Sequence, residues 1–151
     1  MHPTIYHAKN LIKQLNEDKG VVFFCDLHGH SRAHGAFVYG CKSSEVPEST
    51  RIYPYILSKI NPYFFFESSK FGIQSSRAKT ARVVVYRELE TIPAIYTLES
   101  SFSGTLDGTF YTPDLLKSIG RDVCRALIPY CELSVPFHIK TKTKTPNDNK
   151  E

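Results

Sequence analysis

The sequence predicts an α/β fold, and three observations predict it. Two short, nearly continuous apolar runs, 21–27 and 94–99, read as strands buried on both faces. Segments with helical periodicity stand before the first run and after the second. Gly, Pro and Asp mark the breaks between them. Strands that alternate with helices along a chain build a sheet flanked by helices.

A chain of 151 residues with 41% hydrophobic content suffices for one domain with its own core. The net charge of +4 is mildly basic, and much of it sits in Lys140-Thr141-Lys142-Thr143-Lys144. Charge therefore gives no argument for a nucleic-acid partner, while an acidic substrate is compatible with it. No signal peptide and no long apolar span is present, so neither secretion nor a membrane partner is expected. Cys25, Cys41, Cys124 and Cys131 are spread out with no Cys-x-x-Cys pair, which suits free thiols in a reducing cytoplasm. Each is expected to act as a small buried hydrophobe.

Taken in order, Ile5, Ala8, Ile12 and Leu15 recur at helical spacing, which predicts an amphipathic helix over 4–17, broken at Asp18-Lys19-Gly20. The first strand is 21–27, and a second is expected over 35–39. Residues 41–50 are polar and carry Pro47, hence a loop. A short helix over 51–59 tolerates Pro54 in its first turn and stops at Asn61-Pro62. The stretch 67–79 is rich in Ser, Lys and Gly and suits a surface loop. Residues 80–90 are ambiguous, because Val83-Val84-Val85 favours a strand whereas Thr80 can cap a short helix. After the strand at 94–99, Thr112-Pro113-Asp114 is a strong helix start. Leu115, Leu116, Ile119, Val123 and Leu127 then line one face as far as 133, with Pro129 a kink or an end. The domain is expected over 1–133 and a disordered polar tail over 134–151.

The two strand ends carry the chemistry. Phe24-Cys25-Asp26-Leu27-His28-Gly29-His30-Ser31 ends in imidazoles, and Tyr96-Thr97-Leu98-Glu99-Ser100 ends in a carboxylate. A carboxylate beside a histidine-held zinc is the equipment of metal-assisted hydrolysis. His28 and His30, two apart, point the same way along a strand. One of them as a zinc ligand and the other facing substrate is one reading. A self-contained site of His28, His30 and His34 is a second, and hydrogen-bonded loop histidines a third. Glu99, closing an apolar strand, is either functional or paired with an arginine such as Arg82, since unpaired burial is costly. Arg32, Lys79, Arg82 and Arg87 are cations able to hold a carboxylate substrate, although a solvated surface position is the default for any one of them.

With these residues in view, the chain resembles the cytosolic carboxypeptidases, a branch of the zinc metallocarboxypeptidases. Five blocks in order carry the resemblance: His2-Pro3-Thr4-Ile5-Tyr6-His7, Phe24 to Arg32, Phe37-Val38-Tyr39-Gly40-Cys41, Thr80-Ala81-Arg82-Val83-Val84-Val85-Tyr86-Arg87 and Tyr96-Thr97-Leu98-Glu99-Ser100. The resemblance implies the C-terminal half of a catalytic domain, part of a mixed β-sheet flanked by helices, and it implies a helix at 80–90 against raw propensity. It implies His28 as the last zinc ligand, Glu99 as the catalytic general acid/base, and Arg82 near substrate, which leaves His30 as the substrate-facing histidine of the first reading. It also implies Zn²⁺ as cofactor and removal of glutamates from protein C-termini or side chains, with a glutamylated protein such as tubulin as partner. The family's His-x-x-Glu pair, which supplies the first two ligands, occurs nowhere in the sequence. Those ligands are expected upstream, with Met1 the start of a partial domain that does not catalyse alone. The alternative is a non-catalytic binding or regulatory domain that keeps the fold without a complete zinc site.

A single matching ligand does not make a tight site. In a titration against a competing chelator, the chain is expected to hold Zn²⁺ weakly. Tight stoichiometric zinc, abolished by changing any one of His28, His30 and His34, would instead establish the three-histidine site.

Overall fold

The structure, a computed structural model, describes residues 2–43, 46–89 and 91–138. Its elements are α1 (Pro3–Lys19), β1 (Phe23–His30), β2 (Ala36–Gly40), α2 (Ser49–Ile60), α3 (Ala81–Glu88), β3 (Ala94–Ser101) and α4 (Pro113–His138). The sheet has the order β1-β3-β2, with β3 parallel to β1 and antiparallel to β2. The architecture is the α/β layout that the sequence predicts, with the mixed sheet flanked by helices that the resemblance implies.

Alternation along the strands divides the sheet into two faces. Ala94, Tyr96 and Leu98 of β3, with Ala36 and Val38 of β2, pack on Tyr53 and Leu57 of α2 and on Ile119, Val123, Ala126 and Tyr130 of α4. Phe23 and Cys25 of β1 lie against this core. Ile95 points the other way and packs with Val85 of α3, Ile92, Phe24, Val21 and Ile12 of α1. Thr97, Glu99 and Ser101 therefore share this second face with Asp26, His28, His30, Phe37 and Tyr39.

Three expectations about burial are corrected. Of the four cysteines expected to be buried, only Cys41 is; Cys25 and Cys131 are half-buried and Cys124 is exposed. The run 21–27 was expected to be buried on both faces, yet β1 is an edge strand that pairs only with β3 among the described residues, and Leu27 is 66% exposed. The apolar stripe of α1 is likewise largely uncovered among the described residues: the helix buries no residue, Ile5 is 65% exposed, apolar packing is confined to Ile12, and Lys9 pairs with Glu88 of α3 at 2.6 Å. A side-chain amide instead ties down its C-terminal end. Asn16 accepts from Val21 N (3.0 Å) and donates to Thr91 Oγ1 (2.8 Å).

Pro54 sits in the sixth position of α2, not the first turn, because the helix starts at Ser49. Proline there removes the donor that would serve the Thr50 carbonyl. The Tyr96 hydroxyl supplies the replacement, donating to Thr50 O at 2.9 Å. The helix ends at Asn61, whose amide donates to the buried Asp122 of α4 (2.9 Å) and whose Oδ1 accepts from Tyr63 N. Burial pushes the Asp122 carboxyl up, but hydrogen bonds from Arg121 and Asn61 and the nearby Arg125 outweigh it and hold the group below its ordinary range.

The segment 80–90 is helical, as the resemblance implies and against the preference of Val83-Val84-Val85 for strand. Val83 and Val85 are buried, so packing decides its conformation. Thr80 stands at its N-cap position without capping, since its hydroxyl donates to Arg77 O. At α4, Thr112 Oγ1 accepts from Leu115 N (3.3 Å), and Asp114 lies in the first turn. The helix passes through Pro129 and reaches His138. The expected end at 133 is therefore too early, and the remainder of the expected tail, 139–151, lies outside the described residues.

Tyr96→Phe leaves the Thr50 carbonyl unpartnered in the core and should cost about 1–3 kcal/mol in urea unfolding. In a Pro54→Ala background the restored N–H can serve Thr50, so the same change should cost measurably less. Equal costs in both backgrounds would contradict the replacement.

Candidate functional site

The register of β3 assembles the site. Glu99 is the Cα partner of His28 on one side and of Phe37 on the other, so it stands about 4.8 Å of strand spacing from each. It is 6% exposed, and among the described residues its carboxylate makes no hydrogen bond or ion pair. The alternative pairing with Arg82 does not occur. The residue is buried, but its carboxylate oxygens are not among the fully buried orphan atoms and so keep access from solvent; beside an imidazole, such a group is placed where a proton acceptor is useful.

His28 is half exposed and its Nε2 lies 2.9 Å from Asp26 Oδ2, two residues back on the same face. That contact occupies one ring nitrogen and leaves Nδ1 without a partner among the described residues, the arrangement in which metal-bound imidazoles are held by a carboxylate behind them. His28 thus fits the role of one ligand. The described residues contain no group of three His, Cys, Asp or Glu placed to hold a metal, so His28, His30 and His34 do not form a site by themselves. The thiol of Cys25 is pushed up to about 12 by burial, and it lies against the core on the face of β1 opposite His28.

His30 lies on the same face but is engaged in shaping the turn. Its Nδ1 accepts from Arg32 N (3.1 Å) and Ala33 N (2.8 Å), and its ring meets Phe37 edge-on. Only Nε2 remains to face a substrate. The loops after β1 and β3 are joined here: Phe102 N donates to His30 O, and Gly35 N donates to Gly104 O. Gly35 has φ of 81°, and a Cβ there would run into Phe65, so the turn requires glycine. A Cβ on Gly29 would meet the Phe102 ring at 2.1 Å, so the ring closes over the His28-Gly29-His30 backbone.

Arg82 is 3% exposed, whereas Arg32, Lys79 and Arg87 are exposed. Its Nη1 donates to the Gly40 carbonyl and, at 3.0 Å, to Cys41 Sγ, and its guanidinium lies 6.0 Å from the Tyr39 ring centroid. Nε has no partner, and among the described residues no carboxylate pairs with the side chain. The group borders a shallow surface depression of about 10 Å³, room for a single water, lined by Tyr39, Lys70, Gly72, Gln74 and Arg77. Lys70 and Arg77 were not singled out from sequence, because they fall in a stretch that reads as surface loop. Asp26 was also missed, although the same-face rule that paired His28 with His30 also pairs Asp26 with His28.

The chain is 40% identical over 137 residues to cytosolic carboxypeptidase 2 of Mus musculus, a match covering 86% of this chain and 16% of the relative. It is 37% identical over 139 residues to cytosolic carboxypeptidase 3 of Bos taurus, covering 86% of this chain and 14% of the relative. This stretch of chain is a relative of the cytosolic carboxypeptidases. It spans about a seventh of the length of these curated relatives. No family model matches. Among solved structures, the metallo-carboxypeptidase from Burkholderia cenocepacia superposes with a TM-score of 0.65 at 14% identity, covering 81% of this chain and 33% of that one. The metallo-carboxypeptidase from Pseudomonas aeruginosa, in complex with (2-guanidinoethylmercapto)succinic acid, gives 0.61 at 20% identity, covering 83% and 35%. At these identities the two structures show the shared fold. Among the described residues no helix is long and apolar enough to cross a membrane.

Arg82→Lys keeps a cation but cannot serve both the Gly40 carbonyl and Cys41 Sγ in the same geometry. It should lower unfolding free energy by about 1–3 kcal/mol in urea. An unchanged midpoint would show that these contacts are not used.

Proposed function

We propose that this chain supplies a zinc ligand, the general base and part of the substrate cleft of a zinc metallocarboxypeptidase acting in the cytoplasm. Its substrate is a glutamylated protein such as tubulin, from which glutamates are removed at C-termini or side-chain branches. The observation that carries the reading is the buried, unpartnered Glu99 set beside His28 by strand register. His28 holds the ion through Nδ1, and further ligands come from a His-x-x-Glu pair outside these 151 residues. Zinc so held lowers the pKa of a bound water and polarises a carbonyl. Glu99 accepts a proton from water on a carboxylate oxygen and returns it to the leaving amine nitrogen.

The substrate class is supported by Arg82. A buried guanidinium with no carboxylate partner, bordering a surface depression with Lys70 and Arg77, takes its missing counter-charge from an acidic side chain or a terminal carboxylate. The lack of a three-ligand group among the described residues is the one observation favouring a non-catalytic binding domain.

The deciding experiment joins the chain to a His-x-x-Glu segment and measures glutamate release from a glutamylated peptide. Glu99→Gln should leave zinc content and KM near the parent while lowering turnover per folded molecule by roughly 10²–10⁴-fold. A near-normal rate would overturn the catalytic assignment. No release by the parent, with substrate still bound, would favour the binding domain.

A further inference from the structure

We propose that Asp26 is a positioning residue that selects the ring tautomer of His28, placing the proton on Nε2 and leaving the Nδ1 lone pair free to bind an ion. The inference rests on the reading of His28 as a ligand, but its test is independent of catalysis. A neutral imidazole carries one N–H and one lone pair, and the hydrogen bond made by one nitrogen decides which is which. Asp26 Oδ2 stands 2.9 Å from Nε2, and an ionised carboxylate accepts only, so the ring proton belongs on Nε2 in this contact. The alternation of β1 makes the geometry local: residues 26 and 28 share a face, so no distant element is needed to bring them together. Asp26 is paired across the ladder with Thr97 and His28 with Glu99, so the carboxylate lies behind the imidazole along the strand while Glu99 stands beside it.

An exposed ion pair of this kind contributes little to stability. With side-chain exposures of 53% for His28 and 31% for Asp26, the contact is poorly placed to hold the fold together. Its consequence is directional instead. If the proton resided on Nδ1, the only unpartnered ring nitrogen would be unable to bind a metal, and His28 would have to break its contact with Asp26 to do so. Among the described residues His28 has no other hydrogen-bond partner, so no competing acceptor holds the opposite tautomer.

The test is ¹⁵N NMR of the histidine side chains in the full metal-free chain at about pH 8.5, where an ordinary imidazole is neutral. In the parent, His28 should show a pyrrole-type Nε2 and a pyridine-type Nδ1, two well separated shifts. In Asp26→Ala the separation should shrink towards the averaged values of an unconstrained ring, while the backbone amide spectrum remains dispersed. Asp26→Asn provides a second variant, because its amide can accept from or donate to Nε2 and should also mix the tautomers. A protonated Nδ1 in the parent, or an unchanged pattern in both variants, would overturn the proposal whatever the chain proves to catalyse. If the proposal holds, both variants should also bind Zn²⁺ about 10- to 100-fold more weakly in a protein with the complete ligand set.

Discussion

The structure depends on the double pairing of β3. This strand is buried on both faces and hydrogen-bonded on both edges, parallel to β1 and antiparallel to β2. Strand register has a period of two, so one residue of slip would exchange every side chain between the faces. Tyr96 and Leu98 must face α2 and α4 to fill the core. Once they do, Thr97, Glu99 and Ser101 are committed to the opposite face. The same packing constraint sets Ala36 and Val38 inward on β2, and Phe23 and Cys25 inward on β1. Core packing on one side of the sheet thereby delivers Glu99 and His28 together on the other.

The treatment of polar groups separates structure from chemistry. On the core side, hydrogen bonds repair what the sequence disrupts. Tyr96 serves the carbonyl that Pro54 orphans, Tyr53 donates to Val123 O at 2.9 Å, and Asn61 joins the end of α2 to Asp122. On the opposite face, Glu99 is buried with no partner and Arg82 keeps an unserved Nε without a carboxylate nearby. Groups of opposite charge that decline each other, Arg82 at a surface depression and Glu99 beside His28, suit external partners.

Much of this was legible in the sequence. The apolar runs located β1 and β3, and Thr112-Pro113-Asp114 located the start of α4 by capping chemistry alone. His28 and Glu99 stood out because strand ends rarely finish in groups that are expensive to bury. What the sequence could not show was tertiary. The apolar run of β1 looks the same whether one neighbour covers it or two, so its edge position was invisible. Pro54 looked like a first-turn residue because its substitute donor, Tyr96, lies 42 positions further along the chain. The helix at α3 ran against β-branched propensity, since burial of Val83 and Val85 outweighs a preference worth fractions of a kcal/mol per residue. Arg82 was visible as a cation, but its contacts with Gly40 and Cys41 depend on how α3 folds back over β2.

The central claim is that His28 and Glu99 serve one site on one face of the sheet. Anomalous diffraction at the zinc edge, from crystals of a protein carrying this chain with its complete ligand set, tests it most directly. The account predicts an ion bound to His28 Nδ1, on the face shared with Glu99, with Asp26 still on Nε2. An ion held through Nε2, or one seated away from Glu99, would contradict it.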